Sequence, residues 1–188
     1  SLGPKPVQKP HPPIYRGTIS KESFEGAALV GDNVFIVPWL TAPHPVVRKR
    51  VQRYRDLLEE NGHGPKRTTC IFFLFIDPNH QVALREGKEI THAYTRLFTS
   101  FIPPELLSKI RTSEPVRMFI EFTQSMPDQL EERAIVGTPA ACRRRLHELN
   151  DEFELDQVAF YFLAGARDPK RARYGLELFA NEVMPEFR

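Results

Sequence analysis

The run Thr68–Asp77, TTCIFFLFID, constrains this chain more than any other feature. It is β-branched, aliphatic and aromatic almost throughout, with no polar alternation. A strand with one wet face alternates, whereas a continuous apolar strand is covered on both faces, the usual state in a parallel sheet. Asn33–Leu40 (NVFIVPWL) repeats the pattern, and Ile14 to Gly17 and Val158 to Leu163 read as two further strands. Helices lie between and behind them. Ser20 caps one that runs to about Val30, with Phe24, Ala27 and Ala28 on one face, and Gly31-Asp32 breaks it. Pro45 to Asn61 places Val47, Val51, Tyr54 and Leu58 on one helical stripe, ended by Gly62. Thr138 caps, and Pro139 begins, a helix to about Leu149 with Cys142, Leu146 and Leu149 facing inward. Asp168 and Pro169 open the last helix, with Ala172, Leu176, Phe179 and Val183 as its expected buried stripe. Strands alternating with helices give an α/β fold on a parallel sheet, here about four parallel strands each followed by a helix.

Two stretches fall outside that alternation. Residues 1–13 are an extended, Pro-rich lead-in. Residues 78–135 follow the third strand and far exceed the ~2–6 residues usual for a βα connection. They read as a helical insertion region within a single domain spanning 1–188. Ile90, Tyr94, Leu97, Phe98 and Phe101 stand at helical spacing there, Pro103-Pro104 stops that helix, and Glu105 to Ile110 reads as another short one. Val116 to Phe122 is ambiguous between strand and helix.

The bulk properties exclude several classes. A net charge of +2 gives no electrostatic argument for nucleic acid or an anionic membrane. Arg48, Lys49, Arg50, Arg53 and Arg55 read as the solvated face of a helix, because no aromatic platform interleaves with them. No apolar run approaches the ~18 residues of a membrane span. The first residues lack the pattern of a signal peptide, and Ser1-Leu2 without an initiator Met reads as the start of a piece cut from a longer chain. Cys70 and Cys142 have no metal spacing and read as buried free thiols, which fits a reducing cytoplasm.

Motifs with chemistry are scarce. None of the histidines at 11, 44, 63, 80, 92 and 147 pairs with another at helical spacing, and HExxH and CxxC are absent, so no metal site is expected. His44 and His92 are within reach of a barrel's carboxyl face, although surface or packing roles are the ordinary reading of both. Trp39, the single tryptophan, reads as core, with stacking near a ring ligand as the sharper alternative. No GxGxxG, P-loop or GxSxG occurs.

The order of three segments carries a family resemblance. One is PVQKPHPPIY, followed by Gly17 to Ser23 and Gly31-Asp32; the second is VRKRVQRYRDLLEENGHGP; the third runs from Val136, VGTPAACRRRLHELNDEFELDQVAFYFLAGARDPKRARYGLELFANEVMPEFR. Together they resemble the carboxyl-terminal half of the luciferase-like flavin-dependent monooxygenases, a bacterial family with a (β/α)8 TIM barrel. A complete barrel takes about 250 residues, so the resemblance implies a partial one, strands five to eight. It implies an oxidoreductase that uses reduced FMN and oxygen to oxygenate a small organic substrate, with a deazaflavin coenzyme and hydride transfer as the alternative. A non-catalytic half-barrel relative, binding flavin or acting as an interaction module, is the rival from another class. The resemblance places the cofactor's phosphate near Thr18, Ser20 and Ser23, where a helix start offers amides and hydroxyls. Without the resemblance, Ser20 reads as a plain helix cap. Arg16 departs from the family's small or apolar residue; it is expected either to reach the phosphate or to point into the barrel. The catalytic residues are unknown, since the family's other site residues lie mainly on strands one to four. Two open edges would remain, so a homodimer of half-barrels is expected.

Overall fold

The computed structural model describes residues 3, 5–9, 11–38, 42–103, 105, 120–162 and 168–187. All of its strand pairings are parallel. The elements run β1 (Tyr15–Thr18), α1 (Lys21–Val30), β2 (Asn33–Ile36), α2 (His44–Glu60), β3 (Thr68–Ile76), α3 (His80–Ser100), α4 (Leu130–Arg133), β4 (Ile135–Gly137), α5 (Pro139–Phe153), β5 (Gln157–Tyr161) and α6 (Pro169–Glu182), with a closing 3-10 turn at Met184–Phe187. The sheet is centred on β3. Thr68–Cys70 pair with β2, Thr69–Phe73 with β5, and Leu74–Ile76 with β4. β1 pairs with β2 alone, in register Tyr15↔Asn33 to Thr18↔Ile36. Among the described residues, the outer edges of β1 and β5 have no strand partner.

Side-chain parity divides the sheet into two faces. Val34 and Ile36, Cys70, Phe72, Leu74 and Ile76, and Val158 and Phe160 pack with α1, α2, α5 and α6 in one core. Phe73, Phe75, Val136 and Tyr161 lie on the other face and pack with Ala83, Leu84, Tyr94 and Phe98 of α3, and with Met126 and Leu130. Every residue of β3 is therefore buried, which accounts for its unbroken apolar run.

The second face is concave. β1 and β5 are separated by two strands, roughly 14 Å along the sheet at the usual strand spacing. Yet the Tyr15 hydroxyl donates to Gln157 Oε1 at 3.1 Å, and Thr69 Oγ1 donates to the same oxygen at 3.2 Å. Only a strongly curled sheet brings those side chains together. A curled parallel sheet with helices on its convex face is the wall of a partial (β/α)8 barrel.

Several sequence expectations change. A fifth strand, β4, was not foreseen: three residues are too few to show a period, and they pair only because the end of β3 extends beyond its other partners. β2 ends at Ile36 rather than Leu40, and β5 at Tyr161 rather than Leu163. The stretch after β3 holds one helix of 21 residues, starting at His80, instead of short helices alone. Apart from Glu105, the expected helix at 105–110 lies outside the described residues, as does most of 116–122. On α6, Leu176 is exposed and Gly175 takes its place, because Phe162 fills the space beside that glycine.

Two glycines give opposite predictions. A Cβ at Gly87 in α3 would meet Leu130 Cδ2 at 2.6 Å and Phe75 Cδ2 at 2.9 Å, both on buried side chains. A Cβ at Gly26 in α1 would meet nothing within 4 Å. Urea denaturation is expected to show Gly87→Ala destabilised by about 1–3 kcal/mol through overpacking. Gly26→Ala is expected to gain about 0.5–1 kcal/mol from the lost backbone freedom of the unfolded chain.

Candidate functional site

The carboxyl ends of the strands gather the polar groups. At the end of β1, Ser20 caps α1 and forms a reciprocal box with Ser23. Ser20 Oγ accepts from the Ser23 amide at 3.4 Å, and Ser23 Oγ accepts from the amides of Ile19 and Ser20, each at 3.0 Å. The Glu22 carboxylate adds to this turn. It accepts from its own main-chain N–H and from the Ser20 hydroxyl, which together hold it below the usual carboxylate range, with Lys21 and Arg50 as weaker attractions. The helix start therefore favours a negative charge, as its amides and partial positive charge lead one to expect. Arg50, from α2, donates to Ile19 O at 2.7 Å and brings a guanidinium to the same turn.

Ser20 and Ser23 lie together in the cap of α1, but Thr18 and Arg16 are not with them. In register with Val34 and Ile36, both point to the helix-covered face rather than the concave one. Thr18 is 1% exposed, and its hydroxyl donates to Phe35 O at 3.5 Å. Arg16 donates through Nε and Nη2 to Asp32 Oδ2, at 3.0 and 2.7 Å. Arg16 therefore does not point into the barrel, because strand parity turns it the other way. Arg50 was missed: its sequence context is a run of basic residues on an otherwise solvated helix face, and only the packing of α2 beside α1 singles it out.

Further along the concave face, Phe73 stacks near Phe75 at 5.9 Å and meets Tyr94 and Tyr161 at 5.2 and 5.4 Å between ring centroids. Burial raises the Tyr94 hydroxyl's pKa, and a charge interaction and hydrogen bond with Tyr161 raise it further. The Tyr94 phenol is a neutral hydrogen-bonding group among these rings. At the end of β3, Arg171 from α6 binds Asp77 Oδ2 and Glu86 Oε2, both at 2.9 Å, and donates to Ile76 O at 3.1 Å. That three-way pairing fixes the starts of α3 and α6 to the strand end.

His44 sits at the start of α2, on the helix-covered side, with its ring against Phe72 and Phe153. Its Nδ1 lies 3.0 Å from Glu152 Oε2. Burial lowers its pKa despite Glu152, and Arg145 and Arg133 push the same way as burial. His92 is exposed on α3, and Trp39 lies outside the described residues. Cys70 and Cys142 are free and buried; burial pushes the Cys142 thiol up to about 12 and raises Cys70 further. Among the described residues, no group of His, Cys, Asp and Glu is arranged to hold a metal ion, and no helix is long and apolar enough to cross a membrane.

A pH dependence follows from His44. Its folded pKa is below the ordinary value of about 6.5, so the unfolded chain binds the proton more readily. Its contribution to stability is present above that value and is lost as the pH falls below it. Denaturation midpoints between pH 8 and pH 5 are expected to decline for the parent chain and to decline less for His44→Asn.

A family model described as luciferase-like monooxygenase matches residues 1–153. No curated protein sequence matches. Among solved structures, the monooxygenase RslO1 from Streptomyces bottropensis is similar with a TM-score of 0.73 and 22% identity, covering 98% of this chain and 51% of its own. An F420-dependent secondary alcohol dehydrogenase in complex with an F420–acetone adduct matches at 0.63 and 12%, covering 94% and 49%. The oxygenating constituent of 3,6-diketocamphane monooxygenase from the CAM plasmid of Pseudomonas putida, a type II Baeyer–Villiger enzyme in complex with FMN, matches at 0.62 and 17%, covering 92% and 48%. The chain spans about half the length of these structures.

Proposed function

The chain belongs to the luciferase-like monooxygenase family, and from that premise we propose that it forms the phosphate-anchoring half of a flavin site. The observation that carries this reading is the β1–α1 turn. There the Ser20–Ser23 box caps the start of α1, the neighbouring Glu22 carboxylate is held below its usual range, and Arg50 reaches Ile19 O. A phosphate monoester asks for the same donors: main-chain amides, small hydroxyls and a cation. In this reading Glu22 swings outward, the phosphate takes its place, and Arg50 turns from Ile19 O to the ligand. Thr18 supports the turn from beneath, and Arg16 stays with Asp32.

The cofactor of this reading is reduced FMN. Its contribution when bound is the activation of oxygen for transfer to a small organic substrate, chemistry that belongs to the cofactor. The protein's own contributions are placement and exclusion of water. Tyr94 and Tyr161 are half-buried on the concave face, over Phe73 and Phe75, which α3 and its neighbours have already buried, and in this reading a flat ring system lies near the two phenols. A deazaflavin coenzyme is the second cofactor of this reading, favoured by the F420-dependent dehydrogenase among the structural neighbours. The unpaired outer edges of β1 and β5 suit a second barrel wall, and in this reading another copy of the chain supplies it as a homodimer.

Titration of the chain with FMN, oxidised and then reduced without oxygen, tests the reading through flavin absorbance and fluorescence, with solution mass measured in parallel. Saturable binding is expected, weakened about tenfold or more by Ser20→Ala and by Arg50→Ala, each of which removes a donor to a charged ligand. Glu22→Gln is expected to tighten binding by removing the competing carboxylate. Binding left unchanged by all three variants would contradict the proposed anchor.

A further inference from the structure

A second place in the molecule asks for an anion, away from the β1–α1 turn. A cavity of about 500 Å³ lies between the start of α2, the 122–133 segment and α5, lined by Pro43, His44, Phe122, Ser125, Arg133 and Arg145 among others. It shares no residue with the turn that holds Ser20 and Ser23.

Its charged groups are incompletely matched. Arg133 is 4% exposed, yet no carboxylate lies within ion-pair distance of it among the described residues. Its guanidinium rests 3.3 Å from the Phe122 ring centroid and donates to Phe122 O and, at 3.3 Å, to Ser125 Oγ. Those partners are neutral, and burial pulls the Arg133 pKa down to about 10. Arg145 pairs with Glu148 at 3.0 Å and donates to Glu132 O at 2.6 Å, but its buried Nε has no partner. His44 spends Nδ1 on Glu152, and its buried Nε2 also has no partner. Buried polar atoms without partners are costly, and a buried guanidinium without a counter-charge more so.

The charges that face His44 are few. From α5 come Glu152 and Arg145; from the α4 segment come Arg133 and, at the solvent rim, Glu132; β3 presents the Phe72 ring. A bound anion would oppose both arginines. It would also favour the protonated imidazole, whose Nε2–H then becomes a donor. The volume is within the ~300–1,000 Å³ typical of small-molecule sites, well beyond a bare ion. Pro43, Pro45 and Phe122 supply apolar wall. We propose that this cavity binds a small organic oxyanion, a carboxylate or phosphate group on an apolar body, with Arg133 and Arg145 as counter-charges and His44 as a proton-dependent donor.

The test uses the whole chain and two probes, benzoate and phenyl phosphate, with chloride at matched ionic strength as the control. Calorimetry gives affinity, and amide chemical shifts locate the ligand. Saturable binding of at least one probe is expected, moving the amides of His44, Ser125, Gln129 and Arg133 and tighter at pH 6 than at pH 8. Whichever probe binds better identifies the source of the oxyanion. Arg145→Gln is expected to weaken it about tenfold or more, while Ser20→Ala leaves it unchanged. Should Arg145→Gln fail to fold, His44→Asn serves instead, with the pH dependence of binding expected to disappear. Three results would each overturn the proposal: no saturation by either probe at about 20 mM, far above useful affinity; shifts confined to Ile19–Ser23; or equal binding by the parent and the folded variant.

Discussion

Every other element takes its position from β3, which is buried on both faces and paired along both edges. Phe72 and Leu74 anchor the helix layer, while Phe73 and Phe75 anchor the cover on the concave side. A strand in that position has no surface to give up. It holds β2 and β5 at fixed register, and through β2 it holds β1. The β1–α1 turn is therefore the outermost part of a rigid array, and its hydroxyls and amides are placed by the sheet rather than by loop conformation. Sites carried on regular elements in this way keep their geometry better than sites on free loops.

Curvature is the second consequence. The shared contact of Tyr15 and Thr69 with Gln157 spans strands that would be far apart in a flat sheet. It defines which face is the interior of the barrel wall, and so which residues lie on it. Parity then sorts the candidates. Thr18 and Arg16 belong to the helix side; Phe73, Phe75 and Tyr161 belong to the interior. The anion-seeking cavity beside His44 draws its lining from α2, α5 and the 122–133 segment, and shares no residue with the β1–α1 turn.

Much of the fold was legible in the residues. The apolar run at Thr68–Asp77, the stripe Val47, Val51, Tyr54 and Leu58, and the caps Ser20, Thr138 and Asp168 all act locally, and each has its expected role. β4 was illegible because three residues carry no period. Leu176 misled because its neighbour Gly175 packs against Phe162, a contact made only in three dimensions. The same holds for the site. A capping serine pattern announces Ser20 and Ser23, but nothing in a run of basic residues distinguishes Arg50 from Arg48 or Arg53. The direction of Arg16 depends on its register with Val34, a pairing across strands, and a one-residue slip of register would move it to the other face.

In the proposed function the β1–α1 turn, held by the β3-centred sheet, takes a flavin's phosphate. Residue-resolved amide shifts with FMN and with riboflavin, which lacks the phosphate, test it most directly. FMN is expected to move the amides of Ile19 to Ser23 and of Arg50, and riboflavin to leave them in place. Equal responses at that turn to both ligands, or an FMN response confined to other parts of the chain, would contradict it.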